Sequence, residues 1–237
     1  MFEIESLREA EDLVRGATIL GTGGGGDPSE GLELLEEALE LRGSVEVVEI
    51  GELPESSVIV SPYYVGTIAP TAKTKKPVKI ENPMEAAFEK MEEVLGKKIG
   101  AVVACEIGGA NTPAAMNIGA KVGLPTVNGD LLGRAAPELH QCTVHVFEIP
   151  MYPSVMVTET GNVIVVERYA DIDDYEALAR YASSLAGKVA AVVDTPLSRE
   201  QAEKALVKGT IERALELGRA VREAREGGGD PVEAVIE

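Results

Sequence analysis

Tryptophan is absent from this 237-residue sequence, aromatic residues make up only 4% of it, and cysteine and histidine occur twice each. Two cysteines, Cys105 and Cys142, build no disulfide framework, and two histidines leave few candidates for a His-dependent triad. Positive charge is also scarce: 22 Lys and Arg stand against 40 Asp and Glu, a formal net charge of −18. So acidic a chain repels polyanions, which argues against nucleic acid or an anionic membrane face as partner. No apolar run approaches the ~18 residues of a membrane span. The opening Met1-Phe2-Glu3-Ile4-Glu5 has neither the basic nor the apolar segment of a signal peptide. A cytoplasmic protein is expected.

What is present is an ordinary globular balance, 45% hydrophobic and 26% charged. The length suits one large domain or two small ones. The unusual stretch is residues 16–31, where four consecutive glycines, Gly23, Gly24, Gly25 and Gly26, follow Gly21 and Thr22. Glycine loses more freedom on ordering than any other residue, so such a run belongs where the backbone takes positive φ or approaches something closely. Asp27 and Pro28 then read as the N-cap and first position of a helix. The loop is either a site for an anionic or carbonyl-bearing ligand, presented with bare N–H groups, or a tight structural turn.

The spacing predicts a helix over 5–15 stopping at Gly16, a short apolar stub over 17–20 and a helix over 28–41 with inward Leu32, Leu34, Leu35, Ala38 and Leu41. Strands follow at 44–50 and 57–61, and a helix at 84–95. Lys73, Lys75, Lys76 and Lys79 make a basic run that is either solvated or covers a site for a negative ligand. Residues 99–105 are apolar on both faces, as in a buried parallel strand. A small-residue helix at 113–122, a strand at 124–127 and a further helix from Leu131 complete a strand–helix–strand unit with parallel strands. After Glu138 the runs 143–149, 155–157 and 163–167 around Gly161-Asn162 read as antiparallel hairpin structure. Helices are predicted at 173–185, at 198–207 behind a Ser198/Gln201 capping box, at 210–225 and from Pro231, with a strand at 189–193. The fold class is therefore α/β: a largely parallel sheet flanked by helices, with an antiparallel hairpin region after about residue 140. One domain over 1–237 is expected, with a sub-boundary allowed near 140–170.

In open parallel sheets, ligands bind outside the carboxyl ends of the strands. Residues 21–27, 61–66, 106–111 and 128–134 fall at such ends and are expected to share a pocket. Glu106 and Asp130 are the candidates for acid–base work or metal ligation, since a carboxyl beside glycines and a helix N-terminus is prone to a shifted pKa. Arg134 suits a substrate carbonyl or carboxylate, or pairs with Glu138 at i+4. Asn111 offers hydrogen bonds. Gly108 and Gly109 either line the pocket or only make a turn. Cys105 is a core thiol or a nucleophile. Gly21-x-Gly23-x-x-Gly26 with Glu49 fits the dinucleotide fingerprint, but the strand before it is only a stub and Asp27 repels pyrophosphate. No Gly-Lys-Ser/Thr follows, so there is no P-loop. His140-x-Cys142-x-x-His145 has metal-like spacing, yet on a strand His145 points away from the other two.

Taken together, Leu-Gly-Thr-Gly-Gly-Gly-Gly-Asp-Pro (20–28), Glu-Ile-Gly-Gly-Ala-Asn (106–111), Gly-Asp-Leu-Leu-Gly-Arg-Ala-Ala-Pro-Glu-Leu (129–139) and Gly-Thr-Ile-Glu-Arg-Ala-Leu-Glu-Leu-Gly-Arg-Ala (209–220) resemble the S-methyl-thiohydantoin desulfurase-like family. The resemblance spans nearly the whole chain. It implies an N-terminal α/β domain, present here, and a mainly β C-terminal domain, expected to be absent from this chain. It implies catalytic roles for Glu106, Asp130 and Arg134, and substrate binding by Gly23 to Gly26, Asp27, Gly108, Gly109, Asn111 and Glu138. The chain departs from the family pattern at Ala136, where an aromatic is usual, at His140, and over 62–77.

The function implied is hydrolysis of a small cyclic amide or thioimidate of the hydantoin or S-methyl-thiohydantoin type. Glu106 or Asp130 activates water, directly or through a divalent metal, and glycine-loop N–H groups with Arg134 stabilise the developing charge. The cofactor stays unspecified. The partners expected are a small-molecule substrate and either further copies of the chain or a hydantoinase-type enzyme. The alternatives are a non-catalytic subunit of such an enzyme and a nucleotide-binding α/β enzyme.

Overall fold

Alternating apolar side chains divide the central strands between two faces, and helices cover both. The structure, a computed structural model, describes residues 1–66, 77–186 and 189–236. In chain order the elements are β1 (Phe2–Ile4), α1 (Leu7–Leu20), α2 (Pro28–Arg42), β2 (Val45–Val48), β3 (Val58–Gly66), α3 (Pro83–Leu95), β4 (Ala101–Ala104), α4 (Asn111–Val122), β5 (Thr126–Asp130), α5 (Thr143–Val146), β6 (Ser154–Val157), β7 (Val163–Val166), α6 (Ile172–Ala186), β8 (Val189–Ser198), α7 (Arg199–Ala205), β9 (Val207–Lys208), α8 (Thr210–Glu226) and α9 (Glu233–Ile236). Ile59, Tyr63 and Val65 of β3 join Ala101 and Val103 of β4 in a core shared with Tyr175 and Ala179 of α6 and Ala202 of α7. Val58, Val60 and Val102 face the other way, onto Met84, Phe88 and Met91 of α3 and Ile118 of α4.

Among the described residues the strands make one mixed sheet ordered β1-β2-β5-β4-β3-β8-β6-β7, with β9 on β5. The central block β2-β5-β4-β3 is parallel, as the strand–helix–strand reading requires. The flanks are antiparallel, including the β6–β7 hairpin. The sheet is thus less parallel than expected, because β8 returns between β3 and β6.

Several local expectations are revised. Helix α1 runs through Gly16 to Leu20, so the stub at 17–20 is helical and the glycine loop joins two helices. Gly16 is no stop signal: a Cβ there would lie 1.8 Å from the Ala214 carbonyl oxygen, and one at Gly218 would lie 1.7 Å from that of Asp12. The two glycines let α1 and α8 cross in backbone contact. Asp12, buried beneath the crossing, takes Arg222 Nη2 at 3.0 Å. Helix α2 ends at Gly43 as predicted, in the left-handed region with φ 81°, but Leu41 is exposed. Strand β3 continues past Ser61 to Gly66 because β8 pairs with it to its end. No helix forms at Leu131, where residues 131–138 take an irregular path, and residues 143–146 are helical rather than extended. Lys73, Lys75 and Lys76 of the basic run lie outside the described residues.

Gly218→Ala is expected to force α1 and α8 apart and to cost about 1–3 kcal/mol, the usual range for overpacking. Gly51→Ala, where nothing lies within 4 Å of an added Cβ, is the control, with a change within about 0.5 kcal/mol. Urea denaturation midpoints of the two variants check both.

Candidate active site

Strand β4 delivers the chain to Cys105 and Glu106 at the sheet's carboxyl edge, where a cavity of about 780 Å³ opens. That volume is of small-molecule size. Its walls come from the glycine loop (Gly25, Gly26), the end of β3 (Tyr63 to Gly66), the start of α4 (Ala110, Asn111), residues 136–139 with Cys142, and α6 (Glu176, Arg180).

Glu106 is the centre of the polar geometry and only 4% exposed. Asn111 Nδ2 donates to its Oε1 at 2.6 Å, and the Ala136 N–H donates to its Oε2. Burial raises its pKa, the two amide donors oppose that, and the neighbouring Asp130 charge adds to the rise. Asn111 also serves the edge of β3: its Oδ1 accepts from Tyr64 N at 2.9 Å and its Nδ2 lies 3.3 Å from Tyr64 O. A side-chain amide there takes the place of a neighbouring strand.

The glycines hold this arrangement by close packing. The Gly25 carbonyl accepts from the N–H groups of Ala110 and Asn111 at 2.8 and 3.0 Å, capping the N-terminus of α4. Gly25 has φ 82°, and a Cβ there would sit 2.4 Å from Gly108 Cα. Gly109 packs against Thr18 and Pro28. Of the predicted substrate-binding residues, Gly25, Gly26, Asn111 and Glu138 line the cavity, whereas Gly23, Gly24, Asp27, Gly108 and Gly109 stand behind or beside it. Asp27 caps α2, accepting from Ser29 N at 2.9 Å.

Of the predicted catalytic residues, Glu106 lines the cavity and Asp130 and Arg134 do not. Asp130 is fully buried and its oxygens are occupied: Oδ1 accepts from Leu132 N and Gly133 N at 2.7 and 2.5 Å, and Oδ2 from Thr210 Oγ1 at 2.6 Å. Burial raises its pKa against those three donors. It pins the turn that leads to Ala136. Arg134 is exposed and donates to the Ala135 carbonyl. Among the described residues the cation in the cavity wall is Arg180, whose Nε donates to Glu176 Oε1 at 2.7 Å. Only its i, i+4 spacing to Glu176 signalled this pair in the sequence.

Sequence reasoning also missed a buried network behind the cavity. Tyr63, a lining residue, donates from its hydroxyl to Asp194 Oδ2 at 2.8 Å. The Tyr175 hydroxyl donates to the same oxygen at 2.6 Å and lies 2.7 Å from Ser154 Oγ. Thr195 Oγ1 donates to Oδ1 at 2.8 Å. Burial outweighs these donors and pushes the Asp194 pKa up to about 6. Cys105 and Cys142 both line the cavity, and burial holds both thiols well above their ordinary pKa, which disfavours the thiolate a nucleophile needs.

His140 stands 3.4 Å from Glu138, and His145 is exposed. Among the described residues no three His, Cys, Asp or Glu side chains group as metal ligands. The glycine loop, sitting between two helices, lacks the strand–turn–helix context of a dinucleotide site.

Comparison with known proteins gives the family and the fold. The model described as "S-Me-THD-like, N-terminal domain" matches residues 8–168, and "S-Me-THD-like, C-terminal domain" matches residues 170–237. The sequence reading placed none of that second domain in the chain; the match assigns the region from α6 onward to it. A crystal structure of a protein from Chromobacterium violaceum, a structural-genomics target, is similar with a TM-score of 0.79 and 26% identity, covering 100% of this chain and 65% of that one. This chain thus spans about 65% of that protein's length. No curated protein matches. Among the described residues no helix is long and apolar enough to cross a membrane.

The raised Asp194 pKa has a thermodynamic consequence. The folded state holds this proton more tightly than the unfolded chain, so its contribution to stability is full below about pH 4 and lost as pH rises through about 6. Urea unfolding of wild type and Asp194→Asn across this range is expected to show their stability difference moving against wild type by about 1.4 kcal/mol per pH unit between pH 4 and 6, then levelling.

Proposed function

The chain belongs to the S-Me-THD-like family, and from that premise we propose that it is a hydrolase-like enzyme acting on a small cyclic amide or thioimidate of the hydantoin or S-methyl-thiohydantoin type. The observation that carries this reading is Glu106: a buried carboxylate lining a cavity of small-molecule size, with one amide donor fixed on each oxygen. Each oxygen keeps a second lone pair for a water or a ring N–H.

On this reading Glu106 is the general base. It takes a proton from water as the water oxygen bonds to the ring carbon that bears the methylthio group, and negative charge grows on the adjacent ring nitrogen. As that adduct collapses, the hydroxyl proton passes to the ring nitrogen, the oxygen forms a double bond to carbon and the carbon–sulfur bond breaks. Methanethiolate leaves with the proton returned by Glu106, and a ring carbonyl remains, so one water is consumed per methanethiol released. Burial suits the task because it lifts the carboxyl pKa toward the working range while hydrogen bonds keep the ionised form accessible. Asp130, which does not line the cavity, acts on this reading through the turn it pins. The polar N–H groups near the glycine loop, with Gly25 and Gly26 in the wall, remain the candidates for charge stabilisation.

Glu106→Gln is expected to lower kcat on S-methyl-thiohydantoin by about 10² or more with little change in KM, the range typical of losing a general base. Asp130→Asn is expected to lower the unfolding midpoint more than it lowers kcat. The wild-type kcat/KM should fall on the acid side of a pKa above that of an ordinary glutamate. Full turnover by Glu106→Gln would reject the mechanism. No turnover of a hydantoin panel by the wild type, with co-purification of a hydantoinase-type enzyme, would turn the reading to a non-catalytic subunit.

A further inference from the structure

The Ala136 N–H that holds Glu106 lies in a stretch with no regular structure. Residues 131–138 belong to no helix or strand, so no ladder of backbone hydrogen bonds sets their position. Pro137 has no N–H to contribute. Asp130 pins the head of this stretch, at Leu132 and Gly133; its far end is held from α6. Arg180 Nη2 donates to the Pro137 carbonyl at 2.8 Å, one residue beyond Ala136. Glu176 Oε2 accepts from Leu139 N at 2.9 Å. The two side chains are locked to each other through Arg180 Nε and Glu176 Oε1 at 2.7 Å. Arg180 Nη1 also reaches the Gly66 carbonyl at the end of β3, at 3.2 Å. A planar guanidinium that bridges a carboxylate and two carbonyls leaves little rotamer freedom, and lysine has no equivalent fork.

We propose that Glu176 and Arg180 are positioning residues for Glu106, holding the 136–139 wall so that the Ala136 N–H meets Glu106 Oε2. The proposal rests on Glu106 being the general base of the reading above. It also gives the region that matches the C-terminal domain a task in the site: α6 sets the geometry of a carboxylate that belongs to the N-terminal match.

A positioning role and a plain charge effect predict different results. Asp130 from β5 acts on Glu106 from behind, Cys105 and Cys142 are its thiol neighbours, and the charged groups that share its cavity are Glu30, Glu33 and Glu37 from α2, Glu138, Glu159, and Glu176 with Arg180 from α6. Acting only as charges, Arg180 lowers the Glu106 pKa and Glu176 raises it, so removing them moves it in opposite directions. Acting as positioners, either loss loosens the Ala136 N–H, withdraws a donor from the carboxylate and moves the pKa up.

The test is the titration of the Glu106 side chain by carbon-13 NMR in full-length protein with labelled glutamate, the resonance being the one that disappears in Glu106→Gln. Arg180→Gln and Glu176→Gln are both expected to shift it upward, by about half a pH unit or more. With S-methyl-thiohydantoin, both are expected to lower kcat about tenfold or more, with KM less affected, and to move the acid limb of kcat/KM upward together. If Arg180→Gln does not fold, Arg180→Lys, which keeps the charge and loses the fork, takes its place with the same upward shift expected. Shifts in opposite directions, or none, overturn the proposal. Because the titration needs no substrate, a wild type that turns over no hydantoin while both variants shift upward would refute the enzymatic reading and leave the positioning role standing.

Discussion

A carboxylate removed from water at the end of a central strand must be solvated by the protein, and much of the site's architecture follows from doing so for Glu106. Its two donors come from different places. Asn111 can stand there only because α4 starts at that point, and α4 starts there with its first N–H groups capped by the Gly25 carbonyl. That cap requires Gly25 and Gly108 to meet at a distance no Cβ would allow. Ala136 lies between two anchors: Asp130, which gathers Leu132 N, Gly133 N and Thr210 Oγ1 at the head of an irregular turn, and α6, whose Arg180 and Glu176 hold Pro137 and Leu139. Desolvation, close glycine contact and a second buried carboxylate are parts of one constraint.

The two matched regions share one sheet. Residues 170–237 supply β8, which lies between β3 and β6, and α8, which crosses α1 through Gly16 and Gly218. They also supply Thr210 to Asp130 and Glu176 to Leu139. The Tyr63–Asp194–Tyr175 network is built from strands β3 and β8 and helix α6, so the floor behind the cavity likewise draws on both regions. A buried acid with hydroxyl donors on both oxygens keeps a polar junction rigid, here next to the ring of a residue that lines the cavity.

Motifs, helix caps and apolar runs were legible in the sequence. Asp27 and Pro28 begin α2, Gly43 ends it, and Ser198 with Gln201 caps α7, each because a local backbone conformation or a side chain three residues away decides it. The parallel β4–α4–β5 unit and the β6–β7 hairpin were legible too, from periodicity and short connections. The family resemblance drew Glu106 and Asn111 together with the glycines.

What the sequence could not decide were matters of distance between remote segments. Gly16 looks like a helix stop in isolation and is a crossing point only because Ala214 lies across from it. Asp130 and Glu106 look alike as carboxyls near strand ends; they differ because Thr210, eighty residues on, occupies one and the cavity opens beside the other. Arg134, inside a recognised motif, faces outward, while Arg180, in a predicted helix that carries no motif, stands in the cavity wall. Local chemistry is written in neighbouring residues. The environment that makes one carboxylate a base and another a brace is set by burial and hydrogen-bond partners that only the folded chain brings together.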